Sequence, residues 1–104
     1  MINHNLQIKS PDMQNRFLYL TDLLASLKND NIIQNPEICY EIQHTISHLN
    51  NASICKGEQR TKEYLYVLGH LQRAILDAYK LLLFDEPDYN NILSKLIGEK
   101  LLKF

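Results

Sequence analysis

A chain of 104 residues, 45% hydrophobic and 22% charged, has the length of a single domain with one core and a composition that excludes a disordered polyelectrolyte. Lysine and arginine, 11 in all, nearly balance 12 acids, and the balance holds locally, 4 against 5 through Gly57 and 7 against 7 beyond it. With neither a basic excess nor a basic stripe, the chain lacks the electrostatic footprint of nucleic-acid binding.

Met1 to Lys9 has neither the basic start nor the continuous apolar run of a secretory signal, and no stretch reaches the length of a membrane span. A cytoplasmic protein with no membrane contact is expected. Residues 1–9 read as an N-terminal arm and residues 10–104 as the folded domain. Ser10-Pro11-Asp12 carries a helix start: a capping hydroxyl, a proline in the first turn and an acid behind it. Met13, Phe17, Leu20, Leu24 and Leu27 then recur at helical spacing, until Asn29-Asp30-Asn31 favours a turn.

Asn35-Pro36-Glu37 repeats the start, and Ile38, Ile42, Ile46 and Leu49 form a narrow apolar stripe that Asn50-Asn51 closes. Ala52 to Gly57 reads as a loop. The segment Glu58 to Asp85 then reads as one long helix, interrupted only by Gly69, which costs about 1 kcal/mol against alanine. At about 100° per residue, Tyr64, Leu68, Leu71, Ile75, Ala78, Tyr79 and Leu82 share the core side. Glu63, Tyr66, His70, Arg73 and Asp77 make a polar stripe on the other. Glu86-Pro87-Asp88 breaks this helix, and Tyr89, Ile92, Leu93 and Leu96 give a fourth segment its apolar face, followed by Leu101, Leu102 and Phe104.

No run alternates with period two for long enough to make a strand. The expected fold is all-α, a single-domain antiparallel four-helix bundle with a long third helix. That third helix would reach roughly 40 Å and outrun its neighbours, which predicts a homodimer covering the surplus apolar surface.

Three sets of residues invite a function. Tyr66, His70, Arg73 and Asp77, extended by Leu81 and Phe84, form a charged stripe with an apolar end, the composition of a protein-binding face. On this reading the chain is a small non-catalytic regulator, bacterial in style, that binds a protein partner. Immunity proteins, secretion chaperones and anti-regulators share that size and shape. Glu41, His44 and His48 stand three and four residues apart on one helical face, a spacing that metal sites in bundles use. The apolar stripe places them on the solvent side, and the second Glu-x-x-His of a di-iron bundle is missing.

Around His70, the run Gly69-His70-Leu71-Gln72-Arg73-Ala74 resembles the histidine phosphotransfer domains. A small residue precedes the histidine and a basic residue stands three places after it, while Gln72 and Ala74 replace the family's apolar residue and glycine. The resemblance implies a four-helix bundle with His70 exposed as phosphoacceptor. No glycine-rich phosphate loop, Gly-x-Ser-x-Gly or His-Glu-x-x-His occurs in the sequence, so no catalysis and no cofactor are expected. Cys39 and Cys55 lack CxxC spacing and read as free thiols.

Overall fold

The computed structural model describes residues 4–27 and 29–101, with side chains placed for 13–27 and 29–99. It is all-helical, with no strand among the described residues. Its five helices are α1 (His4–Ser26), α2 (Asp30–Ile33), α3 (Pro36–Ile54), α4 (Gly57–Leu83) and α5 (Tyr89–Leu101), four of them long. No helix among the described residues is long and apolar enough to cross a membrane. Leu102 and Phe104, expected to follow the last helix, lie outside the described residues, as do residues 1–3.

The helix boundaries differ from expectation where weak local preferences met stronger tertiary ones. The first helix begins at His4 and runs through Ser10-Pro11-Asp12, so most of the expected arm is helical. Pro11 therefore sits inside α1 and removes one backbone hydrogen bond there. The expected turn at Asn29 is itself a helix start: the Asn29 side chain accepts from the Ile32 amide at 3.0 Å, and the four-residue α2 that follows drives Ile32 into the core. A helix of one turn is too short to leave a periodicity.

Asn35 caps α3 in the same way, accepting from the Ile38 amide at 3.0 Å with Pro36 behind it. Asn50-Asn51 does not end α3. Asparagine's helix penalty is only some tenths of a kcal/mol, and burial of Ala52 draws the helix on to Ile54. Only Cys55 and Lys56 remain to connect α3 to α4. Gly57 makes so short a connection possible because its φ of +61° is a conformation that other residues adopt only at a cost.

Helix α4 is the organising element: α1, α2, α3 and α5 all pack against it. On one side Leu20 of α1 meets Val67, Leu68, Leu71, Ile75 and Tyr79, with Phe17, Leu93 and Leu96 closing around them. On the other, Ile32 and Ile38 settle on Ala74 and Ala78, whose small side chains let α2 and α3 come close. Because neighbours surround α4, its buried arc is wider than one stripe. Val67, outside the core side expected from the periodicity, is fully buried, whereas Leu82, expected in the core, is 42% exposed near the helix end.

The chain measures 52 × 25 × 17 Å along its principal axes, with a radius of gyration of 15.2 Å. A compact domain of this length has about 13 Å. The molecule is elongated, and the end of α4 leaves Leu81, Leu82 and the following Phe84 exposed.

Candidate functional site

Helix α3 presents three parallel rows to its surroundings. The central row, Ile38, Thr45 and Ala52, is buried and repeats every seven residues. On one flank lie Ile42 and Leu49, and on the other Glu41, His44 and His48. Both flanks reach α4, so the side assigned to solvent in the sequence faces a neighbour instead. The reason is the central row: it consists of an isoleucine, a threonine and an alanine, and its weak hydrophobicity hides the true contact face. Ile46, expected in the stripe, is 53% exposed.

The polar flank meets the polar stripe of α4. His48 Nδ1 lies 2.7 Å from Glu63 Oε1 and His70 Nδ1 lies 2.6 Å from Glu41 Oε1. In each pair one partner comes from α3 and the other from α4, and the second pair sits one heptad farther from the connection than the first. A carboxylate can only accept, so both rings carry their proton on Nδ1 and donate it. Arg73 Nη2 approaches His70 Nδ1 at 3.0 Å, but that nitrogen has no lone pair to offer, and the hydrogen bond of Arg73 runs from Nε to Glu41 at 3.4 Å.

Glu63 belonged to the exposed stripe in the sequence and is 6% exposed in the fold. The hydrogen bond from His48 holds its carboxyl below the ordinary range, against the upward push of desolvation, with Asn51 and Gln59 as further donors. Asp77 shows the opposite balance. Burial raises its pKa, the nearby Glu37 and Glu41 raise it further, and Lys80 opposes them.

The imidazoles gather between these carboxylates. Ring centroids lie 5.0 Å apart for His44 and His70, 5.2 Å for His48 and His70, and 6.4 Å for His44 and His48. Tyr40 meets His44 edge-on at 4.2 Å and Tyr66 meets His48 at 4.8 Å, so two tyrosines border the cluster. The structure thus joins residues that the sequence offered as separate candidates. Glu41, His44 and His48 are together, as their spacing required, and His70 joins them from α4. A helical hairpin turning at Cys55-Lys56 mirrors position 41 onto 70 and 48 onto 63, which is the relation that would have exposed the cluster.

The six residues expected to form one binding face are divided. Tyr66 and Arg73 are half exposed at the border of the cluster, and Asp77 is partly covered. The side chain of His70, expected to be open, is only 15% exposed. Leu81 and Phe84 remain open to solvent. Ala74, which stands at the glycine position of the phosphotransfer resemblance, is fully buried against Ile32 and Ile38.

The apolar flank of α3 borders a groove of about 620 Å³. Phe17 and Leu24 of α1, Ile33 of α2, and Ile38, Ile42 and Leu49 of α3 line it, with Leu71 of α4 at its floor. Groove and histidine cluster therefore lie on opposite flanks of one helix. No protein-family model matches the chain, nor does any curated protein or solved structure.

Proposed function

We propose that the protein is a cytoplasmic, non-catalytic helical binding protein that takes an amphipathic helix of a protein partner into the groove between α1 and α3. In this reading its four long helices form an antiparallel bundle, and it regulates its partner as immunity proteins, chaperones or anti-regulators do. The observation that supports it is the lining of the groove: almost entirely aliphatic and aromatic, with Thr21, Gln43 and Thr45 as its polar side chains. A small-molecule site of this size is also mainly apolar but converges a few polar groups on its ligand, whereas here Thr45 donates its hydroxyl proton to the Glu41 carbonyl of its own helix. A row of apolar side chains suits the apolar face of a helix instead.

Tyr66, His70, Arg73 and Asp77, with Leu81 and Phe84 toward the end of α4, lie away from the groove and offer a second, separate contact face, in which His70 is largely covered. Self-association as a homodimer belongs to the same proposal and is supported by the elongated shape. A fluorescein-labelled, leucine-rich amphipathic peptide tests the groove by anisotropy. Ile33 is 47% exposed, so Ile33→Asp leaves the core intact. Saturable binding to the wild type that Ile33→Asp abolishes is the expected result; equal binding to both chains removes the groove from consideration. Light scattering tests the dimer, and a mass that stays at 12.2 kDa across concentrations refutes it.

A further inference from the structure

One ring nitrogen from each of His44, His48 and His70 lies within 4.8 Å of the other two. For two imidazoles on one tetrahedral ion, metal–nitrogen bonds of about 2.0–2.1 Å put the ligand nitrogens about 3.4 Å apart and the ring centroids about 5 Å apart. The centroid separations of His70 from His44 and from His48, 5.0 and 5.2 Å, have that value, and because these rings lie stacked at 24° and 13°, they must turn for their nitrogens to converge on one ion. Only the 6.4 Å between His44 and His48 is wider. His44 makes no hydrogen bond among the described residues and is partly exposed, so its ring, held only by contacts with its neighbours, is the one to move when an ion binds.

The tautomers suit the same purpose. In the neutral rings, Nδ1–H of His48 and of His70 donates to Glu63 and Glu41, which leaves the lone pair on Nε2, with no hydrogen bond to it among the described residues. A carboxylate on the far nitrogen is the usual second shell of a histidine metal ligand: it fixes the ring and raises its basicity. Two carboxylates also offset the charge of a dication, and lone pairs brought together without a proton between them repel until a cation joins them.

We propose that His44, His48 and His70 form a binding site for a transition-metal dication of the zinc class, with Glu41 and Glu63 orienting the ligands. Neutral imidazoles favour zinc, cobalt, nickel or copper over magnesium and calcium, which seek oxygen donors. The ligand set differs from the expected Glu41, His44 and His48 in one exchange: His70 takes the place of Glu41, which moves behind it. No fourth histidine, cysteine or acid joins the group among the described residues, so the remaining tetrahedral position takes water or a small ligand. The ion bridges α3 and α4 and is independent of the groove, which lies on the other flank of α3.

Equilibrium dialysis of protein carrying no histidine tag against Zn²⁺ is the primary test, with Co²⁺ absorption as a reporter of geometry. The expected result is one ion per chain and the intense visible bands of tetrahedral cobalt, with no displacement by excess Mg²⁺. His44→Gln and His70→Gln each weaken Zn²⁺ by more than about a hundredfold, whereas Glu63→Gln, which leaves all three ligands, weakens it by about 10–100-fold. His44→Gln removes no hydrogen bond from the fold and keeps the test decisive if His70→Gln unfolds. Failure of the wild type to take up Zn²⁺ overturns the proposal, as does unchanged affinity in a folded His44→Gln chain.

Discussion

Glu41 Oε1 on α3 accepts the Nδ1 proton of His70 on α4 at 2.6 Å, in surroundings where both side chains are about 15% exposed or less. A hydrogen bond with one charged partner contributes about 1.5–3 kcal/mol, and loss of the acceptor also leaves the donor without a partner. Glu41→Ala is therefore expected to destabilise by about 2 kcal/mol. Glu41→Gln, which keeps an acceptor and loses the charge, costs about half as much. Urea unfolding of both variants checks the order; equal losses would mean that the glutamine amide does not replace the carboxylate as acceptor and that its charge carries the whole effect.

Ile75 and Leu81 separate the two roles of α4. Ile75 is fully buried and Leu81 is 40% exposed. Ile75→Ala is expected to cost about 2–5 kcal/mol from lost burial and the cavity left behind, and Leu81→Ala no more than about 0.5 kcal/mol. Thermal unfolding distinguishes them, and comparable losses would place Leu81 in a covered interface.

Asp77 gives a pH dependence with a defined sign. Its folded pKa is raised above the ordinary 3.8, chiefly by burial, so folding favours the protonated acid. The ionised carboxylate thus costs stability, and the cost develops as pH rises from 3.8 through the folded value. Asp77→Asn is expected to be more stable than the wild type at neutral pH, by less than about 1 kcal/mol. The advantage shrinks as pH falls toward the ordinary carboxylate value. Denaturant unfolding across that range measures it, and an advantage that grows on acidification contradicts the assignment.

Gly57 and Gly98 should respond oppositely to alanine. Space is open around both, but Gly57 has φ +61°. Gly57→Ala is expected to lose about 1–2 kcal/mol to backbone strain. Gly98→Ala, inside α5, should gain up to about 1 kcal/mol. Calorimetry on the two variants tests the pair, and a neutral Gly57→Ala would mean that the connection relaxes without cost.

Asn29 is the one residue that starts α2. Asn29→Ala removes the acceptor for the Ile32 amide and is expected to cost about 1 kcal/mol. Faster hydrogen exchange confined to α2 would accompany it, and unaltered exchange there would show that burial of Ile32 holds the turn alone.

The all-helical class was legible because Met13 to Leu27 and Glu58 to Asp85 are long and strongly periodic. Leu68, Leu71, Ile75, Ala78 and Tyr79 were placed in the core on that basis, and they are there. What failed was orientation about the axis of α3. A face of Ile38, Thr45 and Ala52 is less hydrophobic than the stripe through Ile42 and Ile46, so the sequence pointed the helix the wrong way and sent His44 and His48 to solvent. Glu63 was misplaced for a related reason: its burial depends on His48, which reaches it only across the hairpin.

The short connection at Cys55-Lys56 also sets an order in time. The Glu63–His48 pair closes a separation of 15 residues and the His70–Glu41 pair one of 29. Doubling a loop adds about 0.6 kcal/mol of closure entropy when it closes alone, but almost none once the inner pair has formed. The α3–α4 hairpin is thus expected to zip outward from the turn and to offer α1 and α5 a ready surface. Contacts this close in sequence belong to fast folding, and the histidine–carboxylate ladder is expected to fix the alignment of the two helices before the rest of the chain docks.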